Sequence, residues 1–127
     1  MWQGDGVELF VGARDLEKTG SMIFSDRQIL LGAGREPRVF IADREEGAAA
    51  CKLVAVPDVT GDGYVLEAAI PWTELGVKPA AGMEILFDVA VDNSDDGMER
   101  KQQLMWNGTA RNSGDRGAWG RAKLVEN

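Results

Sequence analysis

Histidine is absent from this 127-residue chain. Its absence removes the usual general base at neutral pH, the commonest transition-metal ligand and every Ser-His-Asp or Cys-His arrangement. Catalysis would have to rest on carboxylates, tyrosine or lysine. Cysteine is nearly absent too. Cys51 has no partner for an internal disulfide, and inside the apolar "AAACKLVAV" it reads as a small hydrophobe. Long apolar runs are lacking: none approaches the roughly 20 residues needed to cross a bilayer. The opening "MWQGDG" has neither the charged nor the apolar region of a secretory signal. The chain as given reads as soluble, with no membrane partner. Basic residues are outnumbered, 14 Lys and Arg against 21 Asp and Glu, for a net charge of -7. No stretch gathers them into a patch that would offset phosphate repulsion, which argues against nucleic acid as a partner.

What the chain does have is enough apolar residue, 44%, to bury the core of one domain over residues 1–127. Alternation dominates and helical periodicity is almost missing. "GVELFVG", "RQILLGA", "PRVFIAD", "CKLVAVP", "YVLEAAI", "MEILFDVAVDN", "QLMWNG" and "AWGRAKLVE" read as strands, separated by turn chemistry such as "GAGREP" and "DVTGDG". Pro71 ends one strand, and Thr73 and Glu74 start a single helical turn that Gly76 closes, a plug over one end of the fold. Sixteen glycines suit turns and bulges better than helices, where each interior glycine costs about 1 kcal/mol. The fold class expected is all-β, an antiparallel β-sandwich. In the strand after Met83, Ile85, Phe87, Val89 and Val91 are expected on a buried face, and Glu84, Leu86, Asp88 and Ala90 on a mixed one.

The succession "WQGDGVELFVG", "SDRQILL", "GYVLEAAIPWTELG", "FDVAVDN", "LMWNG" and "WGRAKLV" resembles the family 9 carbohydrate-binding modules, which accompany polysaccharide-degrading enzymes. The order holds from Trp2 to Val125, and "GYVLEAAIPWTEL" is its most specific piece. The resemblance implies a jelly-roll-like sandwich without catalytic activity, extracellular (secreted or periplasmic), holding a sugar between aromatic side chains. A pyranose presents C–H groups on its faces and hydroxyls on its rim, so its site needs a flat apolar platform and oriented polar groups. By resemblance Trp2 supplies the platform and Glu8 the hydroxyl acceptor. The bland alternatives are a frayed terminal indole and a solvated acid on a polar strand face.

Three departures from the family pattern stand out. Leu30 occupies the place of an arginine that binds the reducing end of glucans, while Arg27 points to the opposite face. Gly114 in "ARNSGDR" replaces a second tryptophan. Asn112 keeps the position of a sugar-binding amide and Arg111 is a substitute donor, though both also serve as ordinary loop residues. Finally, the family's first strands are missing, which leaves an exposed edge and an apolar face open to self-association. Trp72 and Trp119 are expected in the core, and Trp106 is a further candidate for the sugar cleft.

"DVTGDG" and "DNSDDG" resemble the first half of a calcium loop, but Ala69 and Gln103 stand where a bidentate glutamate belongs. A structural calcium at Asp92, Asp95 and Asp96 is the cofactor to test; no other is implied. Three rival classes remain. A glycosidase needs two carboxylates about 5 Å or 6.5–9.5 Å apart, and nothing singles out a pair. A heme-binding relative would have to ligate through methionine, Cys51 or Tyr64. A docking module that has lost sugar binding fits the missing arginine and tryptophan. Calcium is expected to raise the melting temperature of chelator-treated protein; an unchanged midpoint removes the metal from the fold.

Overall fold

The computed structural model describes residues 6–33, 38–42, 50–57, 63–93, 102–109 and 111–126. Eight strands lie among them: β1 (Gly6–Gly12), β2 (Arg27–Gly32), β3 (Arg38–Ile41), β4 (Lys52–Pro57), β5 (Tyr64–Ala69), β6 (Glu84–Asn93), β7 (Gln102–Met105) and β8 (Gly120–Lys123). Each falls on a segment whose alternation predicts it. All pairings are antiparallel. The large sheet runs β3-β2-β1-β6-β7, with β8 also pairing β6, and β4-β5 forms a second, two-stranded sheet.

Because side chains alternate along a strand, the large sheet has two distinct faces. On one, Val7, Leu9, Ile29, Leu31, Val39 and Ile41 pack against Leu53, Leu66 and Cys51 of the small sheet. This is the sandwich core, where each fully buried aliphatic contributes about 1.5–3 kcal/mol. Cys51 behaves as the small hydrophobe expected of it. Burial, and secondarily the Glu74 carboxylate, push its thiol above the usual range, so it stays protonated and unreactive.

The predicted turn after Pro71 is present. Leu75 N–H donates to Trp72 O and Gly76 N–H to Thr73 O, and Gly76 closes the turn at φ +71°. The plug itself is Leu75 and Val77, which pack on Val11 and Ile85. Trp72, expected in the core, is 44% exposed: the strand-ending proline turns it outward while the next apolar residues turn in.

The other face of the large sheet is roofed by the segments 13–26, 107–109 and 111–119. Phe10, Leu86, Ala90 and Trp119 form its cluster, with Leu16, Met22 and Met105 packed alongside. The Phe10 and Trp119 rings are 5.4 Å apart, so Trp119 is in the core as expected. The expectation for β6 needs correction. Leu86, Asp88 and Ala90, the supposedly mixed face, are fully buried under this roof, whereas Val91 is exposed. The small sheet packs over β1, β2 and β3 and leaves Val91, Leu104 and Trp106 uncovered at the β6–β7 end.

The roof is fastened by one side chain. Arg116 is fully buried, and all five of its guanidinium N–H groups are used. Nε and Nη2 donate to the two oxygens of Asp26, at 2.8 and 3.0 Å. Nη1 donates to Asp15 O at 2.6 Å and Lys18 O at 3.0 Å, and Nη2 also to Arg14 O at 2.9 Å. Asp26 in turn accepts from Ile23 N at 3.0 Å. Gly12 makes room, since a Cβ there would lie 2.7 Å from Asp26 Oδ1. Arg116→Ala strands a buried carboxylate and three carbonyls, and is expected to cost about 3–5 kcal/mol in urea denaturation. Arg116→Lys, with a point charge in place of the fork, is expected to recover less than half of that.

Candidate functional site

Glu8 lies in the middle strand of the roofed face, opposite Leu30 on β2 and Ala90 on β6. It is not a solvated surface acid. Only 4% of it is exposed, and its Oε1 accepts from Gln28 Nε2 at 3.2 Å. The register that puts Ala90 opposite Glu8 puts Asp88 and Asp92 diagonally on either side, on the same face, with Cα separations of about 7–8 Å. Both are buried. Beside Glu8 the sheet surface is nearly bare of side chains, because Gly6 pairs with Gly32. The result is a row of buried carboxylates over a glycine and leucine floor that is itself buried, with essentially no free volume among Gly6, Glu8, Leu30, Gly32 and Asp92.

Asp88 is the anchor of the late loop. Its Oδ1 accepts from Asn107 N at 2.9 Å, and its Oδ2 from Gly108 N at 2.7 Å and Asn112 Nδ2 at 2.6 Å. Asn112 Oδ1 accepts from Thr109 N at 2.9 Å, and its carbonyl accepts from Trp119 Nε1 at 3.1 Å. Asn112 therefore sits buried with both ends of its amide engaged inside the protein. Of the two readings of Asn112, sugar-binding amide or loop residue, the hydrogen bonds show the second: it holds the loop.

The other candidates scatter. Trp2, Asp95 and Asp96 lie outside the described residues. Asp92 is buried in β6, and among the described residues no group of three acids or thiols is placed to hold a metal. Arg111 is exposed in the turn after Thr109 and lines a hollow of about 430 Å³ with Gly20, Ser21, Ser113, Gly114 and Asp115. That hollow borders the Arg116 end of the face, where Arg116 N–H donates to Gly20 O, and Glu8 does not line it. Trp106 is 57% exposed, but on the wrong side. Met105 shares the roofed face with Ala90, so alternation sends Trp106 to the opposite face. There it packs at 6.4 Å from Phe87 and over Gly120, where a Cβ would collide with its ring. Its candidacy for the cleft containing Glu8 is corrected accordingly.

Arg27, expected to point away from Glu8, does so. Its Nε donates to Glu74 O and its Nη1 to Phe24 O and Asp26 O. The sequence reading gave no role to Gln28, which holds Glu8, or to Asp88, which anchors the late loop, although Asp88 had a visible signal: like Glu8, it is an acid inside an apolar strand.

A family model described as "Carbohydrate family 9 binding domain-like" matches residues 1–127. The chain belongs to that family. Among solved structures, a family 9 carbohydrate-binding module from Caldicellulosiruptor kristjanssonii in complex with cellotriose superposes with a TM-score of 0.76 at 20% identity. The match covers 99% of this chain and 60% of that one. The glucose complex of a family 9 module from the same organism gives 0.77, also at 20% identity, over 99% and 61%. Among sequence relatives, endo-1,4-beta-xylanase A of Thermotoga neapolitana is 27% identical over 98% of this chain. Endo-1,4-beta-xylanase A of Thermoanaerobacterium saccharolyticum is 29% identical over 88%. The chain spans 11% and 9% of those xylanases' own lengths. The roofed sandwich built on β1 and β6 is thus the fold of this family 9 domain.

Asp88 and Asn112 are expected to act as a unit. Asp88→Ala removes three hydrogen bonds to a charged acceptor, each worth about 1.5–3 kcal/mol, and should destabilise more than Asn112→Ala does. A double-mutant cycle is expected to give a coupling of about 0.5–3 kcal/mol. Additive losses would mean the loop is held elsewhere.

Proposed function

We propose that this domain is a non-catalytic module that holds a mono- or oligosaccharide against the Glu8 end of the roofed face. It would serve as one part of a longer, extracellular polysaccharide-active protein. The observation that carries the proposal is Glu8 itself: a carboxylate withdrawn from water, hydrogen-bonded to Gln28 and flanked by Asp88 and Asp92. A buried acid is paired, and pairing with Gln28 fixes the Glu8 carboxylate on this face. The module structures in complex with cellotriose and glucose support a β-linked glucan end or a related neutral sugar as the ligand. The xylanase relatives support a place beside a polysaccharide hydrolase. In this proposal Trp2 stacks on the sugar face and Glu8 accepts from a hydroxyl. Self-association belongs to the same proposal, with the uncovered Val91, Leu104 and Trp106 as its surface.

A binding-deficient docking module is the second reading. Leu30 at the place of the family's arginine and the internal engagement of Asn112 favour it. Isothermal titration against glucose, cellotriose and xylotriose separates the two. Binding is expected to be modest, because one platform and a few hydroxyl contacts must overcome the entropy of association. Glu8→Gln and Trp2→Ala are each expected to weaken it by about tenfold or more. No heat with any of the three sugars would favour the docking role.

A further inference from the structure

Two exposed aromatic residues stand at the end of the large sheet away from Glu8. Register gives the separation: Arg27 opposes Val11, whereas Gly32 opposes Gly6, so the start of β2 lies about 17 Å along the strand from the Gly6 end. Phe24 occupies the centre of the tight turn that leads into β2. Asp26 N donates to Ile23 O at 2.9 Å and Ile23 N to Asp26 Oδ2 at 3.0 Å, which ties this turn to the Arg116 pair and leaves Phe24 90% exposed. Trp72 occupies the turn after Pro71. There Leu75 and Val77 pack inward while the indole remains exposed.

A second buried arginine joins the two turns. Arg27 Nε donates to Glu74 O at 3.0 Å and Nη1 to Phe24 O at 3.1 Å, so one guanidinium holds a carbonyl from each. Gly76 lets them close, since a Cβ there would lie 3.1 Å from both Arg27 Nη2 and Ser25 O. A single exposed aromatic is ordinary. Two of them on turns pinned together by a buried charge form a preorganised surface. Next to Trp72 come the exposed Thr73 hydroxyl and the half-buried Glu74 carboxylate, neither of which has a side-chain hydrogen bond among the described residues.

We propose that the Phe24 and Trp72 turns form a second saccharide contact, which takes the face of a neutral pyranose chain at the end of the sheet opposite Glu8. It rests on the function proposed above for the class of ligand alone and uses no residue of the Glu8 end. Aromatic rings supply the platform for the C–H face of a pyranose, and the hydroxyl and carboxylate beside Trp72 accept from its rim. The net charge of -7 disfavours an anionic membrane or a polyuronide as the occupant. A long chain that touches both ends of the sheet gains avidity that a monosaccharide lacks.

Adsorption to insoluble cellulose and insoluble xylan tests the assignment in wild type, Phe24→Ala, Trp72→Ala, Trp72→Tyr and the Phe24→Ala, Trp72→Ala double variant. Glucose titration and melting temperatures are measured in parallel. Phe24→Ala is expected to weaken adsorption by about fivefold at an unchanged melting temperature, and the double variant to weaken it further. Trp72→Tyr keeps a flat ring and is expected to retain most of it. Glucose binding is expected to be the same in Phe24→Ala as in wild type. Wild type that adsorbs to neither polymer, or a double variant that adsorbs as wild type does, overturns the second contact. Adsorption that falls with Phe24→Ala in a protein giving no heat with glucose or cellotriose upholds the second contact and overturns the Glu8 site. A dimer in sedimentation that Phe24→Ala dissociates, with adsorption unchanged, assigns the surface to a second copy of the chain and overturns the proposal.

Discussion

Arg116 is the constraint on which the roofed face depends. A guanidinium has five N–H donors in a rigid plane, and here a carboxylate and three backbone carbonyls surround it so that none is left over. The partners come from the segment between β1 and β2, while Arg116 itself belongs to the loop before β8. The ion pair thus ties together stretches of chain about a hundred residues apart beside Gly12, where the sheet offers no side chain to obstruct it. Desolvating both charges is costly, and such a pair adds little net stability over an apolar replacement. Its contribution is geometric. It fixes where the two covering segments cross, and with them the indole of Trp119 on Phe10.

From that crossing the two ends of the roofed face acquire different characters. At the Gly12 end the charges of Asp26 and Arg116 are matched internally. In the middle, Asp88 takes two backbone N–H groups and the Asn112 amide, which turns the late loop into a rigid cover. At the Gly6 end the acceptors Glu8 and Asp92 lie above a floor without side chains. That end is set by rigid strands rather than by the loops, and its two acids are buried. The opposite face, in contact with β4 and β5, is an ordinary dry core with nothing to offer a sugar.

The strands were legible because alternation is a local property: "GVELFVG" and "RQILLG" announce their period without reference to anything else in the chain. Which face a residue occupies was legible only in part. Asp88 and Val91 came out reversed in burial because the covering depends on how far a two-stranded sheet extends over a larger one, and that is a tertiary quantity. Trp106 was misassigned for a related reason: an indole beside "NG" resembles a cleft residue until the parity of Met105 is known. Asn112 was left between two roles, since a loop-holding amide and a sugar-binding amide leave the same letter in the sequence, and its bond to Asp88 became visible only in the fold. Arg116 carried no signal at all. Three of its partners are carbonyl oxygens, which every residue possesses.

Phe40 shows how register adds information that composition withholds. In sequence it is one aromatic in a four-residue strand, indistinguishable from a core residue. Once β3 is paired to β2, its neighbours Val39 and Ile41 are forced inward and Phe40 outward, onto the row of Glu8. The same pairing brings Arg38 level with the two glycines. Glu8 is withdrawn from water by the same register, which sets it between Leu30 and Ala90.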